Sequence, residues 1–354
     1  MLFIMKPILA FYGLLLLLLG ITPCTRAQQQ VYVSPGLYLT ASDAPRLVFQ
    51  NLDLNNNGHF TAAHSTVIFT DSSNTRPALI NGNSKTAFHH LSVNQPLQLA
   101  HDIQVTGNLL LNQGNLQLDR YTLDLDSSGT IIGERNESRI MGKQGSSIVR
   151  TALLQAPRQA NPGNIGVSIT STANLGHTRI IRGHQAPVLA SSSATTNRYF
   201  DIQPANNKNL QATLQFYYLD AELSGNENEL TLFTGDGYNW KATGKDKSNT
   251  AANWLIKNKL DQVQRYTLAG NSPAKMQVYP NPVKDRFTLT WRSTGQQEIV
   301  LLLTDASGKI IERKKQNVRE GLNAIEWNMS RYTAGSYHLY VEGVQTNAHK
   351  IIKE

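Results

Sequence analysis

From Leu97 to Val149 the apolar positions fall in patches of two or three, each closed by Gly, Asn, Asp or Ser. Leu97-Gln98-Leu99, Ile103-Gln104-Val105, Leu109-Leu110-Leu111, Leu116-Gln117-Leu118, Leu123-Asp124-Leu125, Thr130-Ile131-Ile132 and Ser147-Ile148-Val149 follow one another in this way. Strands so short and so tightly spaced cannot build a wide sandwich, but they suit a solenoid whose coils run about twenty residues. Upstream, the run from Leu47 to Asn55 is echoed from Ala87 to Asn94. Residues 28–154 are therefore expected to form a β-helix-like repeat region; an irregular β-sandwich is the other arrangement such patches allow.

After the polar turn cluster Arg158 to Asn164 the apolar runs lengthen. Val167-Ser168-Ile169, Arg179 to Arg182, Arg198 to Ile202 and Ala212 to Tyr218 read as longer strands. Leu230 to Phe233, Trp254 to Ile256 and Tyr266 to Leu268 continue them. Residues 155–269 predict a β-sandwich module, and the Gly-, Ser- and Pro-bearing stretch 270–275 a linker.

The final stretch, 276–354, has its own pattern. Phe287, Leu289 and Trp291 alternate with polar neighbours, the period of two of a half-buried strand. Ile299 to Leu303 is a continuous apolar run that ends in the turn-rich Thr304 to Lys309, so a hairpin is expected there. Gly321 to Trp327 and Tyr337 to Val341 add strands, and Lys350 to Lys353 closes the set. No helical period competes, and the segment predicts a small Ig-like β-sandwich. The whole chain is expected to be all-β.

The order Val278-Tyr279-Pro280-Asn281-Pro282, Asp305-Ala306-Ser307-Gly308-Lys309, Gly321-Leu322-Asn323, Ala334-Gly335-Ser336-Tyr337 and Lys350-Ile351-Ile352-Lys353 resembles the type A C-terminal sorting domain of the type IX secretion system of Bacteroidota. By position, Pro280, Asn281, Pro282, Gly321, Asn323, Gly335, Tyr337 and Lys350 would carry its signature. The resemblance implies Sec export, recognition by the outer-membrane translocon, and release of the cargo or its attachment to surface lipopolysaccharide. The segment Val105 to Leu116 likewise resembles right-handed parallel β-helix coils of surface proteins from that phylum. The module before the linker resembles, in layout only, domains that precede such sorting domains.

The other end agrees with export. Lys6 precedes a leucine-rich apolar run from Ile8 to Ile21, and Thr25-Arg26-Ala27 offers a small-residue cleavage site, so residues 1–27 predict a signal peptide. Cleavage after Ala27 removes the one cysteine, Cys24, and with it any disulfide or thiol chemistry. No later stretch predicts a membrane span.

Charge narrows the partners only slightly. The formal net charge of +8 lies in the C-terminal half, with 12 basic against 8 acidic residues over 271–354. Its dense run, Arg313-Lys314-Lys315, lacks interleaved aromatics and predicts a solvated strand face, not a nucleic-acid surface. Attraction to anionic lipopolysaccharide is consistent with it.

Five places carry candidate chemistry. Asp53 to Gly58 begins like a calcium loop, but the twelfth position is His64 where a bidentate Glu belongs, so an Asn-stabilised turn is expected. Asp119, Asp124 and Asp126 are the carboxylates a β-helix lyase or hydrolase would use, yet alternation around Leu123 and Leu125 describes any half-exposed strand. His89 and His90 are expected on opposite faces of a strand. His177 and His184, read as flanking a turn, leave a shared zinc site open. Trp240 and Trp254, with Tyr238, offer either a sugar platform or core packing. No nucleophile elbow, phosphate loop or zincin motif occurs. Together these predict a secreted or cell-surface structural or adhesive protein, with no catalytic, cofactor or metal set; the rival is a carbohydrate-binding or weakly carbohydrate-active one.

Overall fold

The computed structural model describes residues 29–41, 45–72, 76–184, 194–237, 240–270, 277–293, 296–319, 321–342 and 348–354. The expected signal peptide, Cys24, Tyr238 and most of the expected linker lie outside them. The described residues are organised in β-strands with three short 3-10 turns and no α-helix. No helix among them is long and apolar enough to cross a membrane.

The short apolar patches wind into a parallel solenoid with three faces. One face stacks Gln30–Val33, Asp53–Asn56, Ala78–Asn81, Leu97–Leu99, Leu116–Gln117 and Ile140–Met141. Their ladder partners lie 19 to 26 positions apart, one coil each. A second face stacks Tyr38–Thr40, the start of His59–Thr70, the start of Thr86–Asn94, Ile103–Val105, Thr122–Asp124 and Ser147–Gln155. The third carries Arg46–Gln50, the ends of His59–Thr70 and Thr86–Asn94, Asn108–Leu111 and Thr130–Ile132.

Period-two alternation sends every second side chain inward, and parallel stacking sets like residues over like. Leu97, Leu116 and Ile140 form one such column, Leu91, Leu109 and Ile131 another, and all are buried. Phe49 stacks on Phe69 at 5.0 Å between ring centroids. Polar residues enter where the chain turns. Asn56 is fully buried and donates to Lys85 O (3.2 Å) and Thr86 Oγ1 (3.0 Å) of the next coil.

The sixth coil does not close. Its strand Ser147–Gln155 pairs in parallel with Thr122–Asp124 and, on its other edge, antiparallel with Asn174–Gly183. In place of a third face comes the 3-10 turn Pro162–Asn164, where Asn164 Nδ2 donates to Ile131 O (3.0 Å). The boundary expected near residue 155 thus falls at the end of a strand that both regions share.

The second region is a sandwich. One sheet runs from the shared strand through Asn174–Gly183, Ala194–Pro204, Arg265–Gly270, Leu230–Gly235 and Trp240–Gly244; the other orders Val167–Thr170, Ala212–Tyr217, Trp254–Leu260 and Lys247–Asn249. Phe216 of the second sheet meets Phe200 and Tyr266 of the first at 5.6 and 5.7 Å. A single apolar core runs from Val33 to Leu268 without a break between solenoid and sandwich.

Residues 277–354 have a core of their own, from Val283 to Ile351. One sheet orders Gln277–Tyr279, Arg286–Ser293 and Gly321–Asn328; the other orders Ile310–Val318, Gln297–Asp305, Gly335–Val341 and His349–Lys353. Phe287, Leu289 and Trp291 face inward as their alternation requires, with Phe287 stacked on Trp327 at 6.2 Å. The expected hairpin turn is held by Asp305, whose Oδ1 accepts from Ser307 N (2.8 Å) and Lys309 N (3.1 Å).

Candidate functional site

In the C-terminal module the signature residues gather in two places. Asn281 sits between Pro280 and Pro282, and its side chain imitates a strand. Nδ2 donates to Lys350 O (2.8 Å), and Oδ1 accepts from Ile352 N (2.8 Å). One residue pair further on, Val283 N donates to Ile352 O (2.8 Å) and Glu354 N to Val283 O (2.9 Å). The Pro-Asn-Pro segment is thereby a strap stitched along His349–Lys353. Gly335, Tyr337 and His338 pair from the other side with Lys353, Ile351 and Lys350. Tyr337 is buried, and its hydroxyl donates to Thr333 O (2.8 Å). Gly321 and Asn323 lie apart, at the start of Gly321–Asn328, where Asn323 ties down a turn through Arg319 N (3.0 Å) and Arg319 O (2.8 Å).

Among the described residues the opposite side of this sandwich is unstitched. Arg313, Lys314 and Lys315 lie on Ile310–Val318, whose one ladder partner among the described residues is Gln297–Asp305. Arg313 pairs with Glu342 and Lys315 with Glu298, both at 2.8 Å and both exposed. Lys314 instead crosses the Trp327 ring at 5.3 Å and donates to Glu326 O (3.0 Å). A cleft of about 380 Å³ opens here between the two sheets, lined by Glu312, Lys314, Trp327 and Arg331.

On the solenoid, the second face carries a groove of about 480 Å³ lined by Lys85, Asp102, Gln104, Asp124, Asp126 and Arg179. Asp124 and Asp126 do share it, as alternation around Leu123 and Leu125 requires. Asp124 Oδ1 accepts from Asp126 N (2.9 Å), and Gln104 Nε2 reaches Asp124 Oδ2 (3.4 Å). Asp119 is elsewhere, in a turn and ion-paired with Lys143.

The remaining candidates separate. Asp53 is buried, paired with Arg76 (2.8 Å), and accepts Leu79 N (2.9 Å), while Asn57 Oδ1 holds Asn83 N (3.1 Å). That is an Asn-tied coil turn, with the acidic first position turned inward. His89 and His90 correct the expectation of opposite faces: their rings lie 4.2 Å apart because Thr86–Asn94 rounds a solenoid corner between them. His90 Nδ1 accepts from Asn108 N (2.8 Å), and burial, then the neighbouring His89, lowers its pKa. His177 and His184 stand near the two ends of Asn174–Gly183, not across a turn. Seven residue steps in extended backbone separate them by roughly 23 Å, too far for one zinc ion. Trp240 and Trp254 are half-buried on different sheets and make no ring contact with each other. No trio of His, Cys, Asp or Glu among the described residues is placed to hold a metal ion.

Sequence reasoning missed a buried cluster of four charged side chains. Glu134, Arg182, Arg198 and Glu222 are buried together where the last solenoid coils meet the sandwich. Burial alone would raise the Glu134 carboxyl, but the guanidiniums of Arg182 and Arg198 outweigh it and hold it at about 2. His184 lies in the same cluster, its Nδ1 3.3 Å from Ser146 Oγ. Burial, then the charges of Arg182 and Arg198, push its pKa well below the usual value. These residues come from distant stretches with no shared local pattern, so no sequence signal announces them.

Comparison with known proteins bears on the C-terminal module. Residues 277–354 match the family described as the secretion system C-terminal sorting domain, so this module is a type IX sorting domain. Its presence implies export, a secreted or cell-surface destination, and contact with the type IX machinery. Among solved structures there is a match to dimeric latent PorU from Porphyromonas gingivalis, at 14% identity and a TM-score of 0.21. It covers 57% of this chain and 21% of that one, so the chain spans about a fifth of that protein's length. No curated protein matches the sequence.

Proposed function

We propose that residues 28–270 are a non-enzymatic structural or adhesive cargo of a Bacteroidota cell, delivered to the surface or released by the sorting domain. The observation that carries this reading is the division of the core. Residues 277–354 bury their own apolar cluster, while solenoid and sandwich bury one continuous cluster. A self-contained tag and a self-contained cargo are what recognition of a folded tail and its later removal require. The parallel coils add rigidity without thiols, which suits contact with glycans, lipopolysaccharide or neighbouring cells.

Deleting residues 276–354 and fractionating the cells tests it. The shortened protein should accumulate, folded, in the periplasm; finding it at the surface in normal amount would overturn the delivery role. A second reading, glycan binding, is favoured by the groove over Asp102, Gln104, Asp124 and Asp126, where both charges and amides line an open face. A glycan array with residues 28–270 should then give signals that Asp124→Ala removes.

A further inference from the structure

We infer that the edge of strand Ile310–Val318 left unpaired among the described residues is where the sorting domain docks, taking an extended, carboxylate-bearing polypeptide segment by strand addition. This rests on the sorting role and names the surface that serves it. The two sides of the module differ in kind. At one, the Pro-Asn-Pro strap occupies the outer edge of His349–Lys353. At the other, Ile310–Val318 pairs with Gln297–Asp305 alone among the described residues.

Which groups the open edge offers follows from the ladder. Glu342 N donates to Val300 O (2.8 Å), so the backbone of Val300 faces away from Ile310–Val318. Successive residues of an antiparallel strand alternate in direction, so Leu301 faces Lys314 and exchanges both bonds with it. Arg313 and Lys315 must then present N–H and C=O outward. Edges of this kind are pairing templates. Of the usual safeguards the strand carries basic side chains and a bulge at Ile311, near its start, but with nine residues and no proline the rest of its edge keeps a regular ladder geometry. The parallel opportunity at Gly321–Asn328 is already covered at Glu326 O by Lys314.

Charge selects the occupant. Arg313, Lys314 and Lys315 lie along the edge, and Arg331, paired with Glu312 at 2.8 Å, adds a fourth cation at the cleft. A second copy would bring the same cations edge to edge and be repelled. An acidic strand would be attracted, exchanging carboxylates with the exposed Glu342 and Glu298, whose pairs contribute little in water. The cleft over Trp327 receives side chains from the added strand.

Hydrogen exchange of the full chain, with synthetic peptides as probes, tests this. A peptide alternating Glu and Val should slow exchange over residues 310–318 by about tenfold at ten times its dissociation constant. The Gln/Val peptide should do less and the Lys/Val peptide nothing. Arg313→Pro with Lys315→Pro removes two of the outward N–H groups, leaves every ladder donor in place, and should abolish the slowing while the melting temperature holds. Should that pair unfold the module, Arg313→Glu with Lys315→Glu decides, since it keeps the edge and should turn the preference to the Lys/Val peptide. Unchanged exchange, slowing that ignores these variants, or slowing that grows with protein concentration alone would overturn the proposal. If deleting 276–354 blocks surface delivery but the folded proline pair is delivered normally, the edge is not the docking strand and the sorting role stands.

Discussion

The guanidinium of Arg182 grips the carboxylate of Glu134 with two parallel bonds, Nη1 to Oε2 at 2.6 Å and Nη2 to Oε1 at 2.5 Å, in the buried seam between solenoid and sandwich. Arg182 is wholly buried and Glu134 nearly so. Removing one partner strands the other charge away from water. Glu134→Ala should therefore cost about 3–5 kcal/mol in urea unfolding of residues 28–270, whereas Arg182→Met combined with Glu134→Leu should cost much less. Because the core is continuous, solenoid and sandwich should unfold in one transition.

Acid should loosen the same seam in two stages. His184 is held neutral in the folded protein, while the unfolded chain takes up its proton near the ordinary histidine pKa. Its contribution is complete above about pH 6.5 and declines as pH falls below it. Glu134, at about 2 when folded, contributes above the ordinary carboxylate range and loses that contribution as pH drops from there toward 2. Chemical denaturation across pH 3–8 should show stability rising with pH, and His184→Gln should flatten the leg near pH 6.

In the sorting domain, Asn281→Ala removes both side-chain bonds to the last strand. The loss should be about 1–3 kcal/mol, and the Ile352 amide should exchange with solvent markedly faster. Asn281→Asp should restore the acceptor for Ile352 N but not the donor to Lys350 O, giving an intermediate value.

Gly82 lies at φ +129°, and a β-carbon there would stand 2.0 Å from Asn56 O in the coil below. Gly82→Ala should destabilise the solenoid by more than about 2 kcal/mol, read as a lowered melting temperature. Gly145, with φ +94° but open space around it, should tolerate alanine with a smaller loss.

Much of this architecture could be read from local patterning. Leu97, Leu116 and Ile140 announced coils because like residues recur at coil spacing, and Phe287, Leu289 and Trp291 announced a half-buried strand. Corners were harder. The match of Leu47 with Ala87 is displaced: the ladder sets Leu47 over Val67 and Val67 over Leu91, because strand and corner lengths vary between coils. His89 and His90 meet because the strand rounds a corner between them, which strict alternation does not foresee. Asp53 to Gly58 reads as an Asn-stabilised turn, but nothing near it tells that Asp53 serves Arg76 and Leu79, partners 23 and 26 residues away. Pairings over such distances leave no mark on the neighbouring sequence.

Strand Ser147–Gln155 is at once the last rung of one architecture and the first of the next. The cargo consequently has no break between solenoid and sandwich at which it can be shortened. A fusion joint or protease site placed near residue 155 would tear two ladders at once, so grafts meant to ride this export route belong after residue 270 or within the coil turns.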